Sequence, residues 1–243
     1  MQPDKDTIYN KAQGKPAAFE FDDKVARVFE DMIRRSVPGY AMTLSQTSLM
    51  AKRYARGGTN CYDLGCSLGA GMVALDNGIA TKDITLVGVD NSTAMLQRCE
   101  QALQAADIQS NYQLIEQNIQ ETPMENASIV LLNFTLQFIP KNQRLALMQK
   151  IYASLNPGGV LLLSEKIHFE DSTIQSEITD LHHDFKKANG YSDLEISQKR
   201  AAIEDVLIPE TIDDHKKRLK ETGFQAIEVW LQCFNFVSFL AIK

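Results

Sequence analysis

Tyr62-Asp63-Leu64-Gly65-Cys66-Ser67-Leu68-Gly69 reads as a buried strand that ends in a glycine-rich turn and opens into a helix. About 20 residues further on, a second apolar run, Leu86-Val87-Gly88-Val89, ends in Asp90. In an open parallel sheet, ligands bind outside the carboxyl ends of the strands. Glycine lets the backbone approach a ligand that a Cβ would meet. A carboxylate at the next strand's end can accept hydrogen bonds from both hydroxyls of a ribose. The order is Asp-x-Gly-x-x-x-Gly rather than Gly-x-Gly-x-x-Gly, with Ser67 where the middle glycine of a dinucleotide fingerprint would stand. The pattern therefore favours a nucleoside without a pyrophosphate.

On both sides of this stretch, strand and helix signals alternate. Val25, Phe29, Met32 and Ile33 have helical spacing, and that helix ends near Pro38-Gly39. A second helix runs through Leu44, Leu49 and Tyr54 until Gly57-Gly58. After the strand Cys61–Leu64, the pattern predicts a helix over Leu68–Asn77 and a strand over Thr85–Val89. A helix over Ala94–Ala106 follows, capped by Ser92. Strands are expected at Tyr112–Glu116 and Ser128–Asn133. A helix over Lys141–Leu155 should close at Asn156-Pro157-Gly158-Gly159, before a strand over Val160–Glu165. Such alternation implies a parallel sheet covered by helices on both faces. Near the end, Thr211–Thr222 is an amphipathic helix stopped by Gly223. Ala226–Gln232 and Phe236–Ile242 then read as two strands joined by a short loop around Asn235. Residues 1–20 are mixed and polar and are expected to be poorly fixed. We read 1–57 as an N-terminal segment with capping helices. Residues 58–243 form an α/β domain with a helical insertion at about 168–210 that covers the pocket.

Composition narrows the function. A chain of 243 residues with 44% hydrophobic content can bury a substantial core. The formal net charge of −6 argues against a nucleic-acid backbone as the main partner. The polar start, Met1-Gln2-Pro3-Asp4-Lys5-Asp6, lacks the apolar centre of a signal peptide, and no apolar run approaches the ~20 residues of a membrane span. Cys61, Cys66, Cys99 and Cys233 have no Cys-x-x-Cys spacing, which fits reduced thiols in a cytoplasm.

Several further residues fall on the expected binding edge. Asn91 follows Asp90 and should lie beside the ribose or adenine. Asn118 follows the third strand, where its carbonyl oxygen can accept from an adenine amino group, and Ile119 would pack on the adenine face or belong to the core. Asn133 ends a buried strand and needs a partner, either a ligand or loop backbone. His182-His183-Asp184 does not make a metal site, because adjacent helical residues point about 100° apart. No metal is expected. Lys186-Lys187 and Lys199-Arg200 read, as basic pairs usually do, as solvated.

The turn and Asp90 resemble the first motif of class I S-adenosylmethionine-dependent enzymes. Longer blocks are more specific. Asp63-Leu64-Gly65-Cys66-Ser67-Leu68-Gly69-Ala70, Arg35-Ser36-Val37-Pro38-Gly39-Tyr40 and Leu132-Asn133-Phe134-Thr135-Leu136-Gln137-Phe138 resemble the carboxy-S-adenosyl-L-methionine synthase family. So do His182-His183-Asp184-Phe185-Lys186-Lys187-Ala188-Asn189-Gly190-Tyr191-Ser192, Glu195-Ile196-Ser197-Gln198-Lys199-Arg200 and Trp230-Leu231-Gln232-Cys233-Phe234-Asn235-Phe236. The likeness covers nearly the whole chain after the first ~20 residues. It implies a Rossmann-like class I methyltransferase fold, with a mostly parallel seven-stranded sheet and a C-terminal antiparallel hairpin.

That family converts S-adenosyl-L-methionine and prephenate to carboxy-S-adenosyl-L-methionine and phenylpyruvate. The product serves a separate enzyme that modifies wobble uridine in tRNA. By resemblance, Tyr40, Gly65, Cys66, Ser67, Asp90, Asn91, Asn118, Ile119, Asn133 and Arg200 contact the cofactor or its carboxylated product. The family commonly carries Asp at the position of Asn118. It is homodimeric, and the arginine matching Arg200 reaches the ligand from the neighbouring subunit. A guanidinium suits a carboxylate because it offers two parallel hydrogen bonds. The alternative is an ordinary small-molecule methyltransferase with the same nucleotide half-site. From a different class, an idle adenosylmethionine-binding protein could present a surface to a partner that modifies tRNA. Arg200 separates the synthase from the first of these.

Overall fold

A computed structural model describes residues 4–11, 19–81 and 83–243. Two helices, α1 (Asp23–Ser36) and α2 (Tyr40–Tyr54), precede the sheet. The central part runs β1 (Thr59–Leu64), α3 (Ala70–Gly78), β2 (Ile84–Asp90), α4 (Thr93–Ala105), β3 (Asn111–Glu116), β4 (Ala127–Asn133), α5 (Lys141–Ser154) and β5 (Leu155–Lys166). Helices α6 (Ser172–Ala188) and α7 (Asp193–Ile203) fill the expected insertion. They are followed by α8 (Ile212–Thr222), β6 (Ala226–Cys233) and β7 (Phe236–Ile242). The seven strands are ordered β3-β2-β1-β4-β5-β7-β6. The first five are parallel, and β7 is antiparallel to both β5 and β6. Strand order reverses between β1 and β4, and that crevice is where ligands bind in open α/β sheets.

Alternation along the strands builds two cores. In β4, Val130 and Leu132 join Tyr62 and Leu64 in one cluster, whereas Ile129 and Leu131 join Cys61 and Leu86 in the other. Successive side chains point to opposite faces, so a continuous apolar run is what a sheet covered on both sides requires. A third cluster joins Tyr9, Phe19, Val25 and Met32 to Met95 of α4 and Ala202 of α7. The N-terminal helices and the insertion thus pack together over one end of the sheet.

Three expectations change. The segment 4–11 is held rather than loose. The Asp6 N–H donates to Asp31 at 2.8 Å, Arg35 donates to the Asp6 carbonyl at 2.8 Å, and Gln198 donates to the Tyr9 carbonyl at 2.8 Å. The partners lie far away in sequence, so local composition carried no trace of them. Residues 1–3 and 12–18 of that expectation lie outside the described residues. Helix α3 begins at Ala70 rather than Leu68, because Ser67 (φ 50°) and Gly69 (φ 81°) take left-handed backbone. Asn156–Gly159 does not separate α5 from β5. Leu155 already pairs with Ala127, and the register then shifts so that Ile129 meets Val160. Gly158, at φ 75°, turns the chain there, and its N–H donates to the Lys243 carbonyl at 3.0 Å. The four residues are a bulge inside the strand, its backbone partly paired with the C-terminus.

Candidate active site

The turn after β1 is fastened to β2. The Gly65 and Cys66 N–H groups donate to the Val89 carbonyl at 2.8 and 3.0 Å, and the Ser67 N–H donates to Asp90 Oδ2 at 2.9 Å. Gly65 sits at φ 79°, and a Cβ there would lie 2.4 Å from Thr135 Oγ1. The glycine is therefore required by backbone conformation and by Thr135 before any ligand is considered. Beyond the turn lies a cavity of about 1710 Å³, lined by all ten residues named from the sequence.

Asp90 Oδ1 accepts from the Ser92 N–H at 3.0 Å, so each carboxylate oxygen holds one backbone donor and keeps a lone pair free. Burial holds its pKa above the ordinary carboxylate value, and the Ser92, Ser67 and Asn91 N–H groups offset only part of that rise. Asp63, at the end of β1, is more deeply enclosed. Burial, reinforced by the Asp90 charge, pushes it up to about 7 despite the Met72 N–H. A Cβ on Gly71 would lie 2.3 Å from its Oδ2, so α3 meets this carboxyl through a glycine.

A raised folded-state pKa means that the folded protein holds a proton the unfolded chain releases. The Asp63 contribution is therefore fully present below pH ~4 and is lost as pH rises through about 7. Asp63→Asn mimics the protonated form at every pH. Its melting temperature relative to wild type should climb between pH 4.5 and 7 and level off above 8. A difference independent of pH, in calorimetric scans, would show that Asp63 ionises normally.

Tyr40 opens α2, and burial, with Asp63 and Glu30 nearby, raises its hydroxyl above the ordinary range. The Cys66 thiol is pushed up by a hydrogen bond with Cys99 and by burial, which leaves it a poor nucleophile. Asn91 donates to Asn118 Oδ1 at 3.1 Å, so the two amides are already joined and one lone pair of Asn118 remains. Ile119 is buried and belongs to the core as well as the cavity wall. Asn133 ends β4 half-buried, and among the described residues its amide has no protein partner. Phe134 follows at φ 58°, a strained conformation for an aromatic residue at a sheet edge.

The insertion behaves differently from its sequence reading. Lys187 is exposed and pairs with Asp193 at 2.8 Å. Lys186 and Lys199 instead turn inward and line the cavity with Lys166. Lys199 donates to Ser36 Oγ at 3.1 Å and lies 5.6 Å from the Tyr191 ring centre. Burial, with neighbouring cations, lowers Lys186 to about 7, and burial lowers Lys199 to about 8. Arg200 is on the rim with its side chain 64% exposed and Glu204 4.0 Å away. His182 is a packing histidine. Its Nε2 donates to the Ser36 carbonyl at 2.8 Å, its ring stacks edgewise on Phe236, and burial lowers it to about 2. Among the described residues, no group of three or more His, Cys, Asp or Glu side chains could hold a metal ion. No helix there is long and apolar enough to cross a membrane.

Comparison with known proteins completes the picture. Residues 62–159 match the family model for a methyltransferase domain. Over its full length the chain is 51% identical to carboxy-S-adenosyl-L-methionine synthase of Hahella chejuensis, covering all of that protein. It is 57% identical to the synthase of Marinobacter nauticus over 94% of this chain and 91% of that one. The chain belongs to the carboxy-S-adenosyl-L-methionine synthase family. An O-methyltransferase family protein from Burkholderia thailandensis has the same fold, at a TM-score of 0.64 and 16% identity, over 92% of this chain and 60% of that one.

Within this synthase-family chain, Lys166, Lys186 and Asn235 line the cavity without having been among the candidates from the sequence. One signal was available. Gln175, Thr179, His182 and Lys186 recur at helical spacing along α6, and all four line the cavity. Gln175, Thr179 and His182 are hydrogen-bonded within the protein, to Phe169, to each other and to Ser36.

Proposed function

We propose that this chain is an enzyme that converts S-adenosyl-L-methionine and prephenate to carboxy-S-adenosyl-L-methionine and phenylpyruvate. Its product would supply a separate transferase that builds 5-oxyacetyluridine at the wobble position of tRNA. The full-length likeness to synthases carries this reading. Cavity size supports it, since about 1710 Å³ exceeds the roughly 300–1,000 Å³ that one small ligand needs. The donors fit the adenosyl ligand. Asp90 has lone pairs for the ribose hydroxyls, Asn118 and Ile119 flank the place for adenine, and Asn133 and the Gly65-Cys66-Ser67 turn border the methionine portion. Tyr40 closes that side, and Asn91 braces Asn118.

The reaction balances without a strong base from the protein. Prephenate aromatises as it loses its ring carboxyl as carbon dioxide and its hydroxyl as hydroxide. The sulfonium-bound methyl gives its proton to that hydroxide, forming water, and its carbon bonds to the carbon dioxide. The chain's task is to hold both reactants together and keep bulk water out. The segments 1–57 and about 168–210 serve as the cover over the adenosyl-binding unit. We read the protein as a cytoplasmic homodimer that needs no metal and makes no direct contact with nucleic acid. Ile174 and Leu181, seven residues apart on α6, and Leu194 on α7 are exposed apolar side chains that suit a second copy.

Incubation with S-adenosyl-L-methionine and prephenate, read by mass spectrometry, tests the reading. The expected product is heavier than the starting sulfonium by one carboxyl replacing hydrogen, with phenylpyruvate in equal amount. Methyl transfer, or no change in either compound, would overturn it.

Asp90→Ala should weaken all adenosyl ligands alike, by roughly 1.5–3 kcal/mol for a charge-assisted bond. Calorimetry with S-adenosylhomocysteine reads this directly. Asp90→Asn keeps one acceptor oxygen, and with it at most one of the two backbone bonds and one ribose contact, so an intermediate loss is expected. Unchanged affinity in the alanine variant would remove Asp90 from the ribose site.

A further inference from the structure

The cavity is electrically divided. Asp63, Asp90 and Glu30 line the end nearest the β1 turn, which suits a sulfonium and an ammonium group. At the other end, β5, α6 and the β6–β7 turn converge. Lys166 is the last residue of β5 and pairs in register with Phe236. The Ile167 N–H donates to the Asn235 carbonyl at 2.8 Å, which sets Asn235 beside Lys166. The ring of His182 lies 5.0 Å from that of Phe236, which brings α6 onto the same point. Lys186 is one helical turn further along α6, on the same face as His182.

These groups lack protein partners. Among the described residues, neither Lys166 Nζ nor Lys186 Nζ meets a carboxylate or another hydrogen-bond acceptor. Asn235 is 2% exposed and lines the cavity, yet its Oδ1 is buried without a hydrogen bond. Glu165, adjacent to Lys166, points to the other face of the sheet, where it accepts from the Leu136 N–H at 2.9 Å. Like charges enclosed together without a counter-ion cost free energy that an anionic ligand would recover. Burial and the neighbouring cations act on Lys186 in the same sense, since both disfavour its charged form.

We propose that Lys166, Lys186 and Asn235 form the subsite that receives a carboxylate of the small dianionic co-substrate. The inference rests on the synthase reading above, and it assigns that substrate's position: its anionic end lies against β5 and α6, across the cavity from Asp90. The lysines neutralise the carboxylate, and the Asn235 amide offers both a donor and an acceptor to it or to a neighbouring hydroxyl. Arg200 on the rim is left free for the carboxylate that appears on the product.

The test separates binding from turnover. Prephenate is titrated by calorimetry into protein already loaded with S-adenosylhomocysteine, for wild type, Lys166→Gln, Lys186→Gln and Lys187→Gln. Each of the first two should weaken prephenate by at least about tenfold, the effect of one lost charge-assisted bond, and leave S-adenosylhomocysteine affinity within about twofold. Lys187→Gln, exposed and paired outside the cavity, should change neither. Unchanged prephenate affinity in both inward-facing variants overturns the subsite, as does a wild-type protein that does not bind prephenate. Wild type that binds prephenate through these lysines but makes no carboxylated product would keep the subsite and overturn the synthase reading. Removing an enclosed, unpaired cation should not harm folding, and retained S-adenosylhomocysteine affinity checks this in the same experiment.

Discussion

Arg144→Ala lowers the stability of the fold by about 3–5 kcal/mol, the cost of stripping one partner from a buried ion pair. The Arg144 side chain is 1% exposed and pairs with Glu210. Its Nε donates to the Ile139 carbonyl at 2.8 Å, and its Nη2 donates to the carbonyls of Ile208 at 2.9 Å and Gln137 at 3.2 Å. Glu210 in turn bridges to Ile167, where the chain leaves β5 for the insertion. The arginine therefore pins both ends of the insertion to the start of α5. Alanine takes a donor from three carbonyls, of which Gln137 keeps the Ile208 N–H at 2.9 Å, and the Glu210 carboxylate keeps only Arg218. For a chain of this size, each kcal/mol shifts the melting temperature by roughly 2–4 °C. Urea titration and thermal scans read the change together. A loss below about 1 kcal/mol would mean that relaxed backbone or water replaces the whole network.

Arg200→Ala weakens carboxy-S-adenosyl-L-methionine by several kcal/mol, on the order of 2–5, and leaves S-adenosyl-L-methionine nearly unaffected. Only the product carries a carboxylate on the sulfonium carbon, so only the product can lose a bidentate pair. In the single chain Arg200 is largely exposed, and its contact with Glu204 is long. Such a surface pair contributes little to folding, so alanine should be well tolerated. A large effect on binding requires enclosure by a second subunit, which makes this variant a test of the dimer reading as well. Arg200→Lys keeps the charge without the planar fork and should recover only part of the loss. Affinities for the two ligands are compared in one buffer after the mass in solution is checked. Equal losses in an intact dimer, or none, would return Arg200 to the surface.

Much of this molecule is legible in the chain because its determinants are local. Continuous apolar runs such as Ile129–Leu132 specify strands buried on both faces, whatever lies elsewhere. Gly65 and Asp90 close two consecutive strands, so parallel pairing alone brings them to one edge. Pro38-Gly39 and Gly223 end helices through their own backbone preferences. What only tertiary structure decided is orientation and partnership. Lys186 and Lys187 are chemically alike and adjacent, yet one faces the cavity and the other pairs with Asp193 on the surface. The inward face of α6 is set by what His182 packs against, Ser36 at the end of α1 and Phe236 at the start of β7, both remote in sequence. Asp6 looked like part of a loose polar start until Asp31, Arg35 and Tyr191 enclosed it. Asn235 read as a turn residue until the chain folded around it and left its side-chain amide oxygen Oδ1 without a partner. Periodicity and backbone dihedrals are properties of neighbours along the chain. The charge and hydrogen-bonding state of a side chain depend on what packs against it, and that is known only once the whole chain has closed.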